Sequence, residues 1–284
     1  MEIKKVMVVG AGTMGSGIAQ VCLTAGLNVV ICDTFAPQLD RAKAGIEKGL
    51  GKLVAKEKMT EAEKAACLTR TSYTTDMADG ADADLVIEAV LEKLEVKQDV
   101  FRKLSDLVRE DAILASNTST ISISSIGSVI KNPERFLGTH FFNPVPVMKL
   151  LEIIRGLRTS GETIETIKAF GKKLGKVCIV SKDSAGFIAN RIGSPMLNAA
   201  ANAYDLGIGS REDIDAAMQF GWSHPMGPLA LIDLVGVDVQ VAVMEVLYAE
   251  YGDPYYKPAP ILKRMMAAGM LGRKSGKGFY DYTK

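Results

Sequence analysis

A glycine-rich turn, Gly10-Ala11-Gly12-Thr13-Met14-Gly15, lies between a continuous apolar run from Ile3 to Val9 and a helix-like pattern through Ile18, Ala19, Val21, Cys22 and Ala25. Spaced as G-x-G-x-x-G after a strand and before a helix, these residues have the chemistry of a dinucleotide site. Gly10 permits the tight turn. Gly12 lets the backbone approach a pyrophosphate, whose charge meets the helix N-terminus, and Gly15 lets the helix pack on the strand. The next buried strand, Asn28 to Cys32, ends at Asp33, an acid able to accept hydrogen bonds from the adenosine ribose hydroxyls. Its charge would repel a 2′-phosphate and no arginine follows before Arg41, so NAD is expected rather than NADP. The candidate cofactor residues of this unit are Gly10, Gly12, Thr13, Met14, Gly15 and Asp33. The competing reading is a turn packed for its own sake with Asp33 capping a helix; the complete strand, turn, helix, strand and acid argue against it.

His140 stands in Gly138-Thr139-His140-Phe141-Phe142-Asn143-Pro144-Val145-Pro146, at the end of an apolar strand. Taken alone it is either a satisfied core residue or the base that dehydrogenation of an alcohol requires. Its place favours the second reading, because ligands bind at the carboxyl edge of such a sheet. Lys48, Lys52 and Lys56 form one stripe on the helix after Asp33. That stripe is either a solvated face or a contact surface for a phosphorylated substrate, and spacing does not choose between them. His224, before Pro225-Met226-Gly227-Pro228, reads as a helix-end or turn residue, and Trp222 as a core or interface anchor.

The elements that must hold these residues follow from pattern. The chain has 284 residues, 48% hydrophobic and 24% charged, with a net charge of +1. That is an ordinary globular profile of one large or two modest domains, and it argues against a nucleic-acid binder. The apolar runs are too short to span a bilayer, so no membrane partner is expected. The N-terminus runs directly into a strand pattern without a signal or transit segment, and Cys22, Cys32, Cys67 and Cys178 lack metal-clip spacing. Reduced packing cysteines in a cytoplasmic protein are expected. With two histidines, a zinc site is not expected and no metal is assigned. Further strands are read at Asp84 to Val90, Ala112 to Ser116, Phe136 to Phe142, Lys149 to Ile154 and Val177 to Val180. Helices are read from Pro37 to Lys58, after the capping box Thr60/Glu63, and near Leu94 to Val108 and Ile164 to Leu174. This alternation predicts an α/β fold, a Rossmann-type doubly wound, mostly parallel sheet over residues 1–183. After Asp183 no strand pattern remains. Helices are read from Ala185 to Leu206, Ser210 to Phe220, Pro228 to Leu234, Val237 to Glu250 and Ile261 to Ala268, giving an all-α domain over 184–284.

Four segments then become familiar: Ser116-Asn117-Thr118-Ser119, the His140-Phe141-Phe142-Asn143-Pro144-Val145-Pro146 run, Gly186-Phe187-Ile188-Ala189-Asn190-Arg191, and Pro225-Met226-Gly227-Pro228. In this order and spacing they resemble the L-3-hydroxyacyl-CoA dehydrogenase family over essentially the whole chain, and within it the stand-alone 3-hydroxybutyryl-CoA dehydrogenases. The resemblance implies NAD, an acyl-CoA substrate (acetoacetyl-CoA or 3-hydroxybutyryl-CoA), and a helical domain that binds substrate and forms a homodimer. It makes His140 the catalytic acid/base and Glu152 its carboxylate partner; an unpaired acid inside Leu150-Leu151-Glu152-Ile153-Ile154 would otherwise be costly to bury. It places Ser119 near nicotinamide and substrate, and makes Asn190 a contributor from the second domain. Asn117, in the first of these segments, joins the cofactor set with Ser119. Glu92, Lys97, Asn143 and Lys274 match cofactor-contacting positions. Lys56 matches a CoA-contacting lysine, which raises Lys52 with it as a substrate contact. Gly49 departs from the pattern, standing where some relatives carry a serine that contacts CoA. Two other readings compete: a dehydrogenase of small free hydroxyacids, and a non-catalytic NAD-binding relative. A short-chain dehydrogenase is set aside, because its Tyr-x-x-x-Lys pair occurs only as Tyr280 with Lys284 at the terminus.

Overall fold

The computed structural model describes residues 1–283, so Lys284, and with it the Tyr280–Lys284 spacing, lies outside the described residues. The chain divides into two compact units, Met1–Ser184 and Ala185–Lys284.

The first unit is built on an eight-stranded sheet in the order β3-β2-β1-β4-β5-β6-β7-β8. Its strands are β1 (Lys5–Val9), β2 (Asn28–Cys32), β3 (Thr71–Thr74), β4 (Leu85–Glu88), β5 (Ile113–Ser116), β6 (Phe136–Phe141), β7 (Leu150–Arg155) and β8 (Val177–Lys182). β1 to β6 run parallel, β7 is antiparallel to β6, and β8 is parallel to β7. The helices are α1 (Thr13–Thr24), α2 (Ala36–Ala55), α3 (Glu61–Thr69), α4 (Leu94–Leu107), α5 (Ile123–Ile126) and α6 (Gly161–Lys173). The inner strands are apolar at successive positions because both faces are covered. Val6, Val8, Val29, Ile31, Leu85, Ile87, Leu137, Leu151 and Ile153 join Ile18 of α1, Ile46 of α2 and Ile167 of α6 in one buried cluster. On the other face, Phe136 meets Phe101 of α4 edge-on at 4.9 Å. This is the Rossmann-type, mostly parallel architecture expected from the alternating pattern.

Two details depart from that pattern. β3 is an added edge strand that pairs only with β2; its sequence Thr-Ser-Tyr-Thr has no apolar run because it borders a single neighbour. The helix read from Ala185 begins instead at Ala189, because Gly186 (φ +74°) and Phe187 (φ +50°) adopt left-handed backbone. A helix cannot pass through such residues.

The second unit contains α7 (Ala189–Asp205), α8 (Arg211–Ala216), a π-helical turn (Ala217–Gly221), α9 (Pro228–Val235), α10 (Val237–Tyr251) and α11 (Pro260–Ala267). Its core joins Leu197 and Ala201 of α7, Leu229 and Ile232 of α9, Val241 of α10, Leu262 of α11 and Phe279 of the terminal segment. Among the described residues no helix is long and apolar enough to cross a membrane. The terminal segment is fastened by Asp233 at the end of α9. This buried carboxylate accepts from Phe279 N and Tyr280 N at 2.9 Å and from Tyr282 Oη at 3.2 Å. Burial pushes the Asp233 carboxyl above its ordinary range despite these donors. Replacing Asp233 with alanine strands the donors and is expected to lower unfolding stability by about 2–4 kcal/mol. Urea unfolding followed by circular dichroism checks this; a change under about 0.5 kcal/mol would show that the tail is held by packing alone.

Candidate active site

The glycine turn joins β1 to α1, and its three glycines have separate physical grounds. Gly10 sits at φ +103°, and a Cβ there would lie 2.5 Å from the Ala89 carbonyl oxygen. Gly15 lies against the Gly10 carbonyl, at which a Cβ would come to 1.8 Å. Gly12 is different, since a Cβ would meet no protein atom within 4 Å. Fold packing therefore requires glycine at 10 and 15, whereas at 12 the open space is what a ligand would use. Gly12 is also the N-cap of α1, with no side-chain cap and no acid in the first turn. The orphan N–H groups and the helix dipole are thus left to an anion, which fits a pyrophosphate. Asp33 closes the turn from the side: Oδ2 accepts from Ala11 N at 2.8 Å and Oδ1 from Phe35 N at 2.9 Å. Each oxygen keeps acceptor capacity for a ribose hydroxyl.

A second group gathers at the carboxyl ends of β4 and β5. Glu92 Oε1 accepts from the Thr118 hydroxyl at 2.5 Å, from Ser119 N at 2.8 Å and from Thr120 N at 3.2 Å. Lys97, buried on α4, reaches Glu92 Oε2 at 3.2 Å and Glu88 Oε1 at 2.7 Å. Burial raises the Glu92 carboxyl, but the Lys97 ammonium and the Thr118 and Ser119 donors outweigh it and hold the carboxyl below the ordinary glutamate value. Neither spacing nor motif marks Glu88 or Thr118 as a site residue in the sequence. The available signal was an acid closing the otherwise apolar Leu85-Val86-Ile87-Glu88.

The third group is the histidine. In the antiparallel ladder His140 of β6 stands directly opposite Glu152 of β7. Both are buried, and His140 Nδ1 lies 2.8 Å from Glu152 Oε2. The ring of Phe142 packs against the imidazole at a centroid separation of 4.4 Å. Asn117, just past β5, accepts from Phe141 N at 2.9 Å and so ties the Ser119 segment to the histidine strand. A base held by a buried carboxylate can take a proton from, or return one to, an oxygen brought to its ring.

The remaining sequence candidates are spread more widely. Asn143 is exposed in the β6–β7 loop. Lys48 and Lys52 are exposed on α2, and Lys56 is the C-cap residue that follows it. Gly49 faces α1, where a Cβ would lie 2.3 Å from Gln20 Oε1; a serine there would have to displace that side chain. In the helical unit Asn190 occupies the first turn of α7, and Lys274 pairs with Asp238 Oδ2 at 2.6 Å. Trp222 is 75% exposed, which removes the core-anchor reading.

The sheet order and the glycine turn are those of a dinucleotide-binding Rossmann domain. Residues 5–184 match the NAD-binding domain of 3-hydroxyacyl-CoA dehydrogenase, and residues 186–282 match its C-terminal domain. The chain therefore belongs to the 3-hydroxyacyl-CoA dehydrogenase family and is an NAD-dependent oxidoreductase. It is 48% identical over 280 residues to a 3-hydroxybutyryl-CoA dehydrogenase of Clostridioides difficile, covering 99% of this chain and 100% of the relative. A probable 3-hydroxybutyryl-CoA dehydrogenase of Deinococcus radiodurans is 48% identical over 275 residues, 97% of this chain and 99% of its own. The crystal structure of (S)-3-hydroxybutyryl-CoA dehydrogenase from Ralstonia eutropha matches with a TM-score of 0.96 at 48% identity, covering 100% of both chains.

The glycine geometry separates folding from binding. Gly10→Ala is expected to cost about 2–3 kcal/mol of stability, since it combines a positive φ with a backbone clash. Gly12→Ala should cost less than about 1 kcal/mol while weakening NADH binding roughly tenfold or more. Thermal unfolding and NADH fluorescence titration of both variants test this; equal destabilisation by the two would contradict it.

Proposed function

We propose that this protein catalyses reversible hydride transfer between (S)-3-hydroxybutyryl-CoA and acetoacetyl-CoA, with His140 as general acid/base. The observation that carries the proposal is the buried His140–Glu152 pair, 2.8 Å apart at the carboxyl edge of the sheet. The names of full-length relatives at 48% identity supply the substrate. Gly10, Gly12, Thr13, Met14, Gly15 and Asp33 would hold NAD, which when bound would supply the hydride acceptor or donor.

The chain's own residues do the acid–base work. With the Glu152 carboxylate accepting from Nδ1–H, the imidazole keeps its proton there and presents Nε2 as the basic nitrogen. Nε2 removes the proton of the 3-hydroxyl in the oxidative direction. In the reductive direction the imidazolium donates that proton to the 3-keto oxygen, and Glu152 stabilises its charge. Ser119, held by its backbone on Glu92, and Asn190, at the first turn of α7, position the substrate oxygens. Glu92, Lys97, Asn117, Asn143 and Lys274 complete the cofactor set, and Lys52 and Lys56 offer positive charge to the phosphates of CoA. A homodimer through the helical unit is supported by exposed Leu206, Ile208, Phe220 and Trp222, since apolar surface of this kind favours association. A cytoplasmic site of action is supported by four free cysteines, as in reducing compartments.

The test is His140→Gln, assayed by NADH oxidation with acetoacetyl-CoA. Turnover is expected to fall by about 10²–10⁴-fold, with the NADH dissociation constant changed by less than about twofold. Retained turnover, or an unmutated enzyme that prefers free acetoacetate, would contradict the proposal.

A further inference from the structure

Glu88 is fully buried, and the hydride-transfer chemistry does not use it. It closes β4 at the carboxyl edge, in register with Val9 at the start of the glycine turn and with Ser116 before the Ser119 segment. Its Oε1 accepts from Val90 N and from Lys97 Nζ, both at 2.7 Å, and its Oε2 accepts from Ser116 Oγ at 2.6 Å. One residue it fixes is itself part of the wall of the cofactor turn, for a Cβ on Gly10 would lie 3.1 Å from the Val90 N that Glu88 holds.

We infer that Glu88 is a positioning residue of the dinucleotide site, holding Lys97 inward and, through Lys97 and Glu92, the backbone of Ser119 and Thr120. Lys97 lies between two carboxylates of unequal depth. Its own side chain is 1% exposed and that of Glu88 0%, whereas that of Glu92 is 40% exposed. A lysine has a long flexible stem, and its ammonium moves outward to water when nothing holds it inside. Glu88 supplies the inward hold. Without its charge, the pair Lys97–Glu92 is free to slide toward solvent, because a buried ammonium with one partial partner is costly. Glu92 then leaves the three donors of Thr118, Ser119 and Thr120 that it now gathers. The line of contact from Ser116 through Glu88, Lys97 and Glu92 to Ser119 is thus a strut across the carboxyl ends of β4 and β5. The inference rests on the proposed role of Ser119 beside nicotinamide and substrate.

Glu88→Gln is the sharp variant. Glutamine is isosteric and its oxygen still accepts from Val90 N; its amide donates to Ser116 Oγ instead of accepting from it, so the charge facing Lys97 is lost and the Ser116 bond is reversed while the shape is kept. Two readouts are taken: hydrogen exchange of the peptide spanning 117–122 in the enzyme without cofactor, and NADH affinity by fluorescence titration. Exchange is expected to quicken by about tenfold and NADH affinity to fall about five- to twentyfold. Lys97→Met should do the same, and the double variant should be no worse than about the weaker single, because both act on one strut. Should Glu88→Gln fail to fold, Ser116→Ala, which removes a single donor to Glu88, is expected to shift both readouts in the same direction by a smaller factor. A purely structural Glu88 would lower the unfolding midpoint and leave NADH affinity unmoved, which would overturn the inference, as would Glu88 and Lys97 effects that multiply independently. Neither readout needs the acyl-CoA. Failure of the unmutated enzyme to oxidise NADH with acetoacetyl-CoA would count against the proposed function and leave this result standing.

Discussion

A carboxylate in the middle of a sheet is tolerated only where donors meet it, and at Glu152 one such donor is the imidazole of His140, 2.8 Å away. That contact requires the one antiparallel pairing in the sheet. In the β6–β7 ladder residues 140 and 152 face each other, joined by a short connection over Phe142 to Lys149. A further parallel strand would have needed a crossover and could not have returned an acid to this place so soon. The departure from a wholly parallel sheet is therefore what creates the base–carboxylate pair.

The rest of the first unit delivers groups to the same edge. Parallel strands all end on one side, and here those ends are Gly10 after β1, Asp33 after β2, Glu88 on β4, Ser116 and Asn117 at β5, and His140 on β6. The carboxyl ends therefore carry polar groups although the strands behind them are apolar on both faces. Hydrogen bonds link these ends laterally. Asp33 grips Ala11, Glu88 grips Ser116, and Asn117 grips Phe141. Such lateral hydrogen bonds set these groups in place without a ligand, and preorganised polar groups are what differential binding of a transition state needs.

What could be read from sequence was what depends on local chemistry. The glycine turn, Asp33 and the buried strands follow from periodicity and from short-range backbone needs, and the doubly wound sheet follows from their alternation. His140 was visible as a base at a strand end, but its partner was reached only through a family resemblance, because nothing in residues 140 and 152 alone announces a shared ladder position. The strut from Glu88 to Glu92 was hidden for a similar reason. Glu88 and Lys97 lie on a strand and a helix separated by a turn, and their pairing exists only once α4 packs. β3 is not legible in the sequence because an edge strand with one neighbour has no need of an apolar run. The break before α7 is equally hard to read, because Phe187 is a residue type seldom found with positive φ and only Gly186 beside it points to a turn.

In the proposed reaction Glu152 orients the imidazole of His140 and stabilises its imidazolium rather than merely filling the sheet. The most direct measurement is kcat for acetoacetyl-CoA reduction by Glu152→Gln, with NADH affinity measured on the same preparation. An amide can hold the ring in the wrong tautomer and cannot stabilise the imidazolium, so kcat is expected to fall by about 10²–10⁴-fold while the NADH dissociation constant stays within about twofold. A folded Glu152→Gln variant with kcat within about threefold of the unmutated enzyme would contradict the account.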